Sequence, residues 1–158
     1  MGGVVENEKL IKRFYDAFGR MDGETMAMLY APDAHFRDPA FGDLTGEEAG
    51  DMWRMLTSRA EDLKIELASH SAEGDTGEAN WIATYTFSTG RPVVNDIQAR
   101  FQFRDGFIVD HVDSFPVHKW ARQALGAPGW ILGLPGFNLL IRRKARGDLD
   151  EYRASKSS

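Results

Sequence analysis

The chain of 158 residues contains no cysteine. That excludes a disulfide framework, thiolate metal sites and a cysteine nucleophile, and it fits a reducing, cytoplasmic setting. Long hydrophobic runs are missing too: nothing approaches the roughly 18 apolar residues of a membrane span. The opening residues, Met1-Gly2-Gly3-Val4-Val5-Glu6, lack the apolar core of a signal peptide. There is no Gly-rich phosphate loop and no lysine in a recognisable Schiff-base setting, so no organic cofactor is implied. A basic excess is absent as well; the net charge of −5 argues against a dedicated nucleic-acid binder. The last absence is local. Between Ser114 and Gly147 there is no Asp or Glu, while Lys119, Arg122, Arg142, Arg143, Lys144 and Arg146 give that stretch +6, so the rest of the chain carries −11.

What is present suits one ordinary core. Apolar residues make up 42% of a chain long enough to bury them without staples. Leu10, Ile11, Phe14 and Phe18 recur at helical spacing over residues 6 to 20. Asp22 can cap a second, short helix that carries Met26, Leu29 and Tyr30 and stops at Pro32-Asp33. Residues 34 to 38 read as a short strand closed by Pro39. Thr45-Gly46-Glu47-Glu48 is a capping box, opening a helix that runs to about Ala60 and presents Met52, Trp53 and Leu56 inward. From Leu63 the period changes to two, and strands follow over about 63–68, 78–88, 93–104 and 107–115, with Asp105-Gly106 the strongest hairpin signal. Helices followed by an antiparallel meander mean α+β: a bent sheet wrapped over three helices around a conical cavity.

The 78–88 strand leaves one question open. One face carries Trp81, Ala83, Tyr85 and Phe87, the other Ile82, Thr84, Thr86 and Ser88. If the first face turns inward it lines an aromatic pocket. If it turns outward it is too apolar for solvent and implies a sheet-to-sheet homodimer. The C-terminal part, residues 126–158, is set apart as an extension on a body of residues 1–125. Gly126, Pro128, Gly129, Gly133, Pro135 and Gly136 punctuate an apolar run there, and a helix is expected from about Phe137 to Tyr152. It packs on the body or a second subunit, or lies on a membrane surface as basic amphipathic helices can.

Several segments together carry a family likeness: Arg13-Phe14-Tyr15-Asp16-Ala17-Phe18, Leu29-Tyr30-Ala31-Pro32-Asp33-Ala34, Phe36-Arg37-Asp38-Pro39, Phe101-Gln102-Phe103-Arg104-Asp105-Gly106 and Ile108-Val109-Asp110-His111-Val112-Asp113. In these the chain resembles the nuclear-transport-factor-2-like superfamily, which includes SnoaL-type polyketide cyclases, ketosteroid isomerases and limonene-epoxide hydrolases. The resemblance implies a cone-shaped α+β barrel enclosing an apolar pocket, often in a dimer, and a cofactor-independent acid–base enzyme acting on an apolar or aromatic carbonyl compound. A non-catalytic ligand-binding or dimerisation domain of the same fold is the alternative, since one fold hosts many functions.

The resemblance assigns residues. Asp38 stands where the isomerases keep their general base, and burial would raise its pKa toward a useful value. Its other reading is an Asp-Pro turn residue. The isomerases' oxyanion donors have no counterpart: Phe14 stands at the Tyr position, with Tyr15 one residue along, and Ala99 at that of the second acid. Asp113 resembles the last-strand carboxylate of the cyclases and hydrolases, and His111 shares its strand face. This pair either moves protons or is a buried hydrogen-bonded pair without turnover. Asp38, His111 and Asp113 are thus the catalytic candidates, with Phe14, Tyr15, Trp53, Tyr85 and Phe101 the ligand-binding ones. His35 could join the catalytic three as metal ligands, but no recognised spacing is present, and no metal is expected.

Overall fold

A computed structural model describes residues 4–126, 128–132 and 134–156; residues 1–3 and Gly133 of the segments discussed above lie outside them. Its first helix, α1 (Val4–Gly19), buries Ile11, Phe14, Tyr15 and Phe18, so the apolar spacing becomes a packed face. Helix α2 (Gly23–Met28) begins as expected, with the Asp22 carboxylate accepting from the Thr25 N–H at 3.0 Å. It ends earlier than the sequence suggests: Leu29 is its C-cap and Tyr30 already belongs to strand β1 (Tyr30–Asp38). Pro32 therefore sits inside a strand, where the pairing register shifts between Tyr30 and His35 and no ladder N–H is asked of it. A short strand, β2 (Gly42–Thr45), was not anticipated. Helix α3 (Gly46–Arg59) carries the complete Thr45–Glu48 capping box.

Strands β3 (Lys64–Glu73), β4 (Thr76–Thr86), β5 (Pro92–Arg104) and β6 (Phe107–Ser114) complete one curved sheet in the order β2-β1-β6-β5-β4-β3. The β5–β6 hairpin turns on Asp105 and Gly106, with φ of +53° and +81°. Two features differ from an all-antiparallel barrel. Strand β1 runs parallel to β6, which the long intervening chain permits, and the sheet stays open because its edges β2 and β3 do not pair.

The Trp81 face of β4 points inward. That resolves the choice which the two alternating faces left open, in favour of the inward one. The reason is register: Trp81 lies opposite Ile97 and Ala79 opposite Ala99, and all four are buried on the concave side. The outer face of β4 carries Glu78, Asn80, Ile82 and Thr84, so the apolar surface that suggested a sheet-to-sheet dimer belongs to the core instead.

The C-terminal part forms three helices, α4 (Val117–Leu125), α5 (Gly129–Leu132) and α6 (Phe137–Lys156). Helix α4, not anticipated from the sequence, crosses the β4–β5 end of the sheet: Thr89 donates to the Ala124 carbonyl, and Arg91 to that of Gln123 at 2.7 Å. Helix α6 lies on α3 with Leu149 fully buried. Arg153, Lys156 and Arg54 converge on the buried Asp51 carboxylate, and Arg146 reaches Glu48 and the Asp43 carbonyl. Among the described residues no helix is long and apolar enough to cross a membrane.

Candidate functional site

Strand register assembles the site. His111 on β6 lies beside Phe36 of β1 and opposite Phe101 of β5, and Asp113 lies opposite Ala99. His111 and Asp113, two apart, share the concave face as their spacing requires. Both are buried. The His111 ring stacks on Phe101 with centroids 4.3 Å apart.

A chain of hydrogen bonds fixes this pair. The Trp53 indole N–H donates to the Tyr30 hydroxyl at 2.8 Å. The Tyr30 O–H lies 2.7 Å from His111 Nδ1, and His111 Nε2 lies 2.9 Å from Asp113 Oδ1. Indole can only donate, and carboxylate only accepts. The arrangement that gives every hydrogen a partner has Tyr30 donating to Nδ1 and a neutral imidazole donating from Nε2 to Asp113. The Trp81 indole N–H approaches the same carboxylate oxygen at 3.5 Å. Burial, the largest influence, pushes the Tyr30 phenol well above its ordinary range, so it stays protonated and remains a donor.

Tyr15 breaks the pattern. Its hydroxyl is buried and, among the described residues, is the one buried side-chain polar atom without a hydrogen-bond partner. Burial first, then the nearby negative charge of Asp113, pushes its pKa well up. It is an intact O–H donor with nothing to donate to, within the electrostatic reach of Asp113.

Asp38 ends β1 and is half-buried. Its Oδ1 accepts from the Phe41 N–H at 2.5 Å, so it does cap the turn through Pro39. Burial nevertheless pushes its pKa up to about 7; the Phe41 hydrogen bond opposes this, and the negative charge of Asp113 reinforces it. A carboxyl in this condition exchanges protons readily near neutral pH.

Asp38 and Asp113 line one open recess of about 540 Å³, together with Arg37, Val112 and Arg142. The aromatic candidates lie elsewhere. Phe14, Tyr15, Trp53 and Phe101 are buried and pack edge-on around Phe14, with centroid distances of 5.1 to 6.2 Å. They fill the interior around His111 and are not among the residues lining the recess. Tyr85 is further off, its hydroxyl accepting from the Trp120 indole of α4 at 2.8 Å. His35 is on the opposite sheet face from His111, 3.5 Å from both Asp43 and Asp110, so the four imagined metal ligands do not converge. Among the described residues no group of three or more His, Asp or Glu side chains is arranged to hold a metal ion.

Three members of this site escaped the sequence reading. Tyr30 was placed in a helix because Pro32 looked like a helix stop. Trp81 carries no local signal of its facing, because alternation leaves both faces of β4 open. Arg142 sits over a hundred positions from Asp38, and no local pattern connects them.

An open, curved, mostly antiparallel sheet around α1–α3, with a last-strand carboxylate facing the interior, is the cone-shaped α+β fold of the nuclear-transport-factor-2-like superfamily. Within it, residues 11–111 match the SnoaL-like domain, and the chain belongs to that family. No curated protein matches significantly. Among solved structures the chain is similar to IdmH from Streptomyces antibioticus, provisionally a polyketide cyclase, at 25% identity and a TM-score of 0.63, over 75% of this chain and 97% of that one. It is similar to an LEH-like epoxide hydrolase from M. tuberculosis at 16% identity and a TM-score of 0.65, over 87% and 98%. It is also similar to a protein of ketosteroid isomerase-like fold from Catenulispora acidiphila, solved with trimethylamine, at 17% identity and a TM-score of 0.66, over 77% and 95%.

Proposed function

We propose that this chain is a cofactor-independent acid–base enzyme of the cyclase, isomerase or hydrolase kind, acting in the Asp38–Asp113 recess on a carbonyl compound with an apolar or aromatic body. The observation that carries the reading is Asp38: a half-buried carboxyl, held near neutrality, beside a second carboxylate in a space of ligand size. As a carboxylate, Asp38 takes a proton from the carbon next to the carbonyl; the C–H electron pair becomes the carbon–carbon double bond of the enolate, and the carbonyl π pair moves onto oxygen. Protonated Asp38 then returns the proton to carbon. Asp113 is the second acid–base group. His111 touches no ligand in this reading; both its nitrogens are engaged, and it positions Asp113. Residues 1–125 form the reacting body, and residues 126–158 complete the recess through Arg142. A homodimer and a cytoplasmic setting fit this reading, with any pairing surface lying outside the concave face of β4.

Deuterium exchange at the α-carbon of phenylacetone, followed by NMR, tests it. The wild-type chain should accelerate exchange about a hundredfold over buffer. Asp38→Asn should return it to background, and Asp113→Asn should slow it. Wild-type exchange at the buffer rate, or unchanged exchange in both variants, would overturn the reading. A purely ligand-binding role has one observation in its favour: the Tyr30–His111–Asp113 chain is internally satisfied and needs no substrate to complete it.

A further inference from the structure

Arg142 belongs to α6, outside the residues that match the SnoaL-like domain. It nevertheless lines the recess that holds Asp38 and Asp113. Among the described residues its side chain makes no ion pair or hydrogen bond, and it is felt by Asp43 only through the longer-range field that helps hold that carboxyl below its usual range. Three other arginines nearby are already committed, Arg37 to Asp43 at 2.7 Å, Arg146 to the Asp43 carbonyl at 2.9 Å and Arg153 to Asp51 at 2.9 Å, and Arg143 does not line the recess.

The fold makes room for this side chain. Gly42, at the start of β2, has φ of +73°. A Cβ there would stand 2.9 Å from Arg142 Nε and 3.0 Å from its Cδ, so a side chain at position 42 would collide with the Arg142 stem. One helical turn on, Arg146 is tied to β2 through the Asp43 carbonyl and to Glu48, and the Asp51 cluster holds the far end of the helix. Arg142 is therefore a free guanidinium on an anchored helix, set against a glycine.

We infer that Arg142 is the anion-binding residue of the recess, and that the ligand of this chain is a carbonyl compound bearing a carboxylate. This rests on the recess being the ligand site, as proposed above. Guanidinium offers a planar fork that matches a carboxylate with two parallel hydrogen bonds. The rest of the body supplies the opposite field, a charge of −11 outside the 114–147 stretch, so an anionic ligand needs a local cation to enter. Arg142 gives one end of the ligand a fixed anchor and leaves the other end to Asp38. Binding should tighten as pH falls through neutrality, since protonation of Asp38 removes a negative charge that faces the anion together with Asp113 and Asp43, while the Arg37 and Arg142 cations of the same recess stay charged.

The test uses benzoate as the anionic probe and benzamide as its neutral counterpart, titrated against the full chain by NMR chemical shifts. Benzoate should bind wild type more tightly than benzamide does. Arg142→Gln should weaken benzoate about tenfold and leave benzamide unchanged. Arg142→Lys keeps the charge without the fork and should fall between. Because Arg142 is exposed and outside the core, circular dichroism of both variants should match wild type. Equal binding of the two probes, failure of benzoate to bind wild type, or undiminished benzoate binding in Arg142→Gln would each overturn the assignment. If Arg142→Gln loses benzoate while Asp38→Asn leaves phenylacetone exchange unchanged, the anion site stands and the proton-transfer reading falls. The reverse pair of results removes the anion site alone.

Discussion

Replacing Asp38 by Asn isolates the group on which the proposed chemistry depends, and its signature is a stability difference that changes with pH. Asn keeps the size and an oxygen to accept the Phe41 N–H, but it cannot ionise. In the folded chain burial raises the Asp38 carboxyl from its ordinary 3.8 to about 7, while in the unfolded chain it returns to the ordinary value. Between those two values the folded state holds a proton that the unfolded state has released. Stability of the wild type therefore falls as pH rises through this window, and levels off above about 7. The full displacement corresponds to about 4 kcal/mol. Because Asp38 is only partly buried, solvent screens some of this, and we expect about 2 kcal/mol. Urea denaturation of both proteins from pH 4 to pH 8 reads the effect, and taking their difference cancels every other titrating group. Asp38→Asn should be close to wild type at pH 4 and more stable by about 2 kcal/mol at pH 8. A difference that does not vary with pH, or one that shrinks as pH rises, would refute the reasoning.

Three further outcomes follow from the same geometry. Tyr30→Phe removes the acceptor of the Trp53 indole and the donor to His111 Nδ1 together; two buried polar groups are orphaned, and urea denaturation should show a loss of about 2–4 kcal/mol, whereas a loss below 1 kcal/mol would mean that the hydrogen-bond chain does not hold the core. Tyr15→Phe removes a hydroxyl that has no partner, so thermal unfolding should show unchanged or slightly raised stability, by up to about 1 kcal/mol; clear destabilisation would mean that the hydroxyl is satisfied in the protein. Asp51→Asn removes the carboxylate that gathers Arg54, Arg153 and Lys156. It should cost about 3 kcal/mol and expose α6 to limited proteolysis; protease resistance equal to wild type would show that Leu149 packing alone retains the helix.

The amino-acid order determined a good deal by itself. Local rules sufficed where the interactions are local: the 3.6-residue spacing of Ile11, Phe14 and Phe18 made α1, Thr45 and Glu48 capped α3, and Asp105-Gly106 closed the last hairpin. The two-residue period placed His111 and Asp113 on one face, and the family likeness pointed to Asp38. Tertiary structure decided everything that depends on register and docking. A Pro inside β1 is tolerable only because the pairing shifts there, which moved Tyr30 from helix to strand and so into hydrogen-bond contact with His111. Side-chain alternation cannot say which of two faces is inside; partners across β5 turned Trp81 inward. The acidic and basic parts of the chain were visible as a charge count, but not where they meet. Only the packing of α6 on α3 carries a guanidinium from the basic stretch to the carboxylates of the body, because a helix docked by Leu149 and Asp51 projects its earlier turns over the end of the sheet.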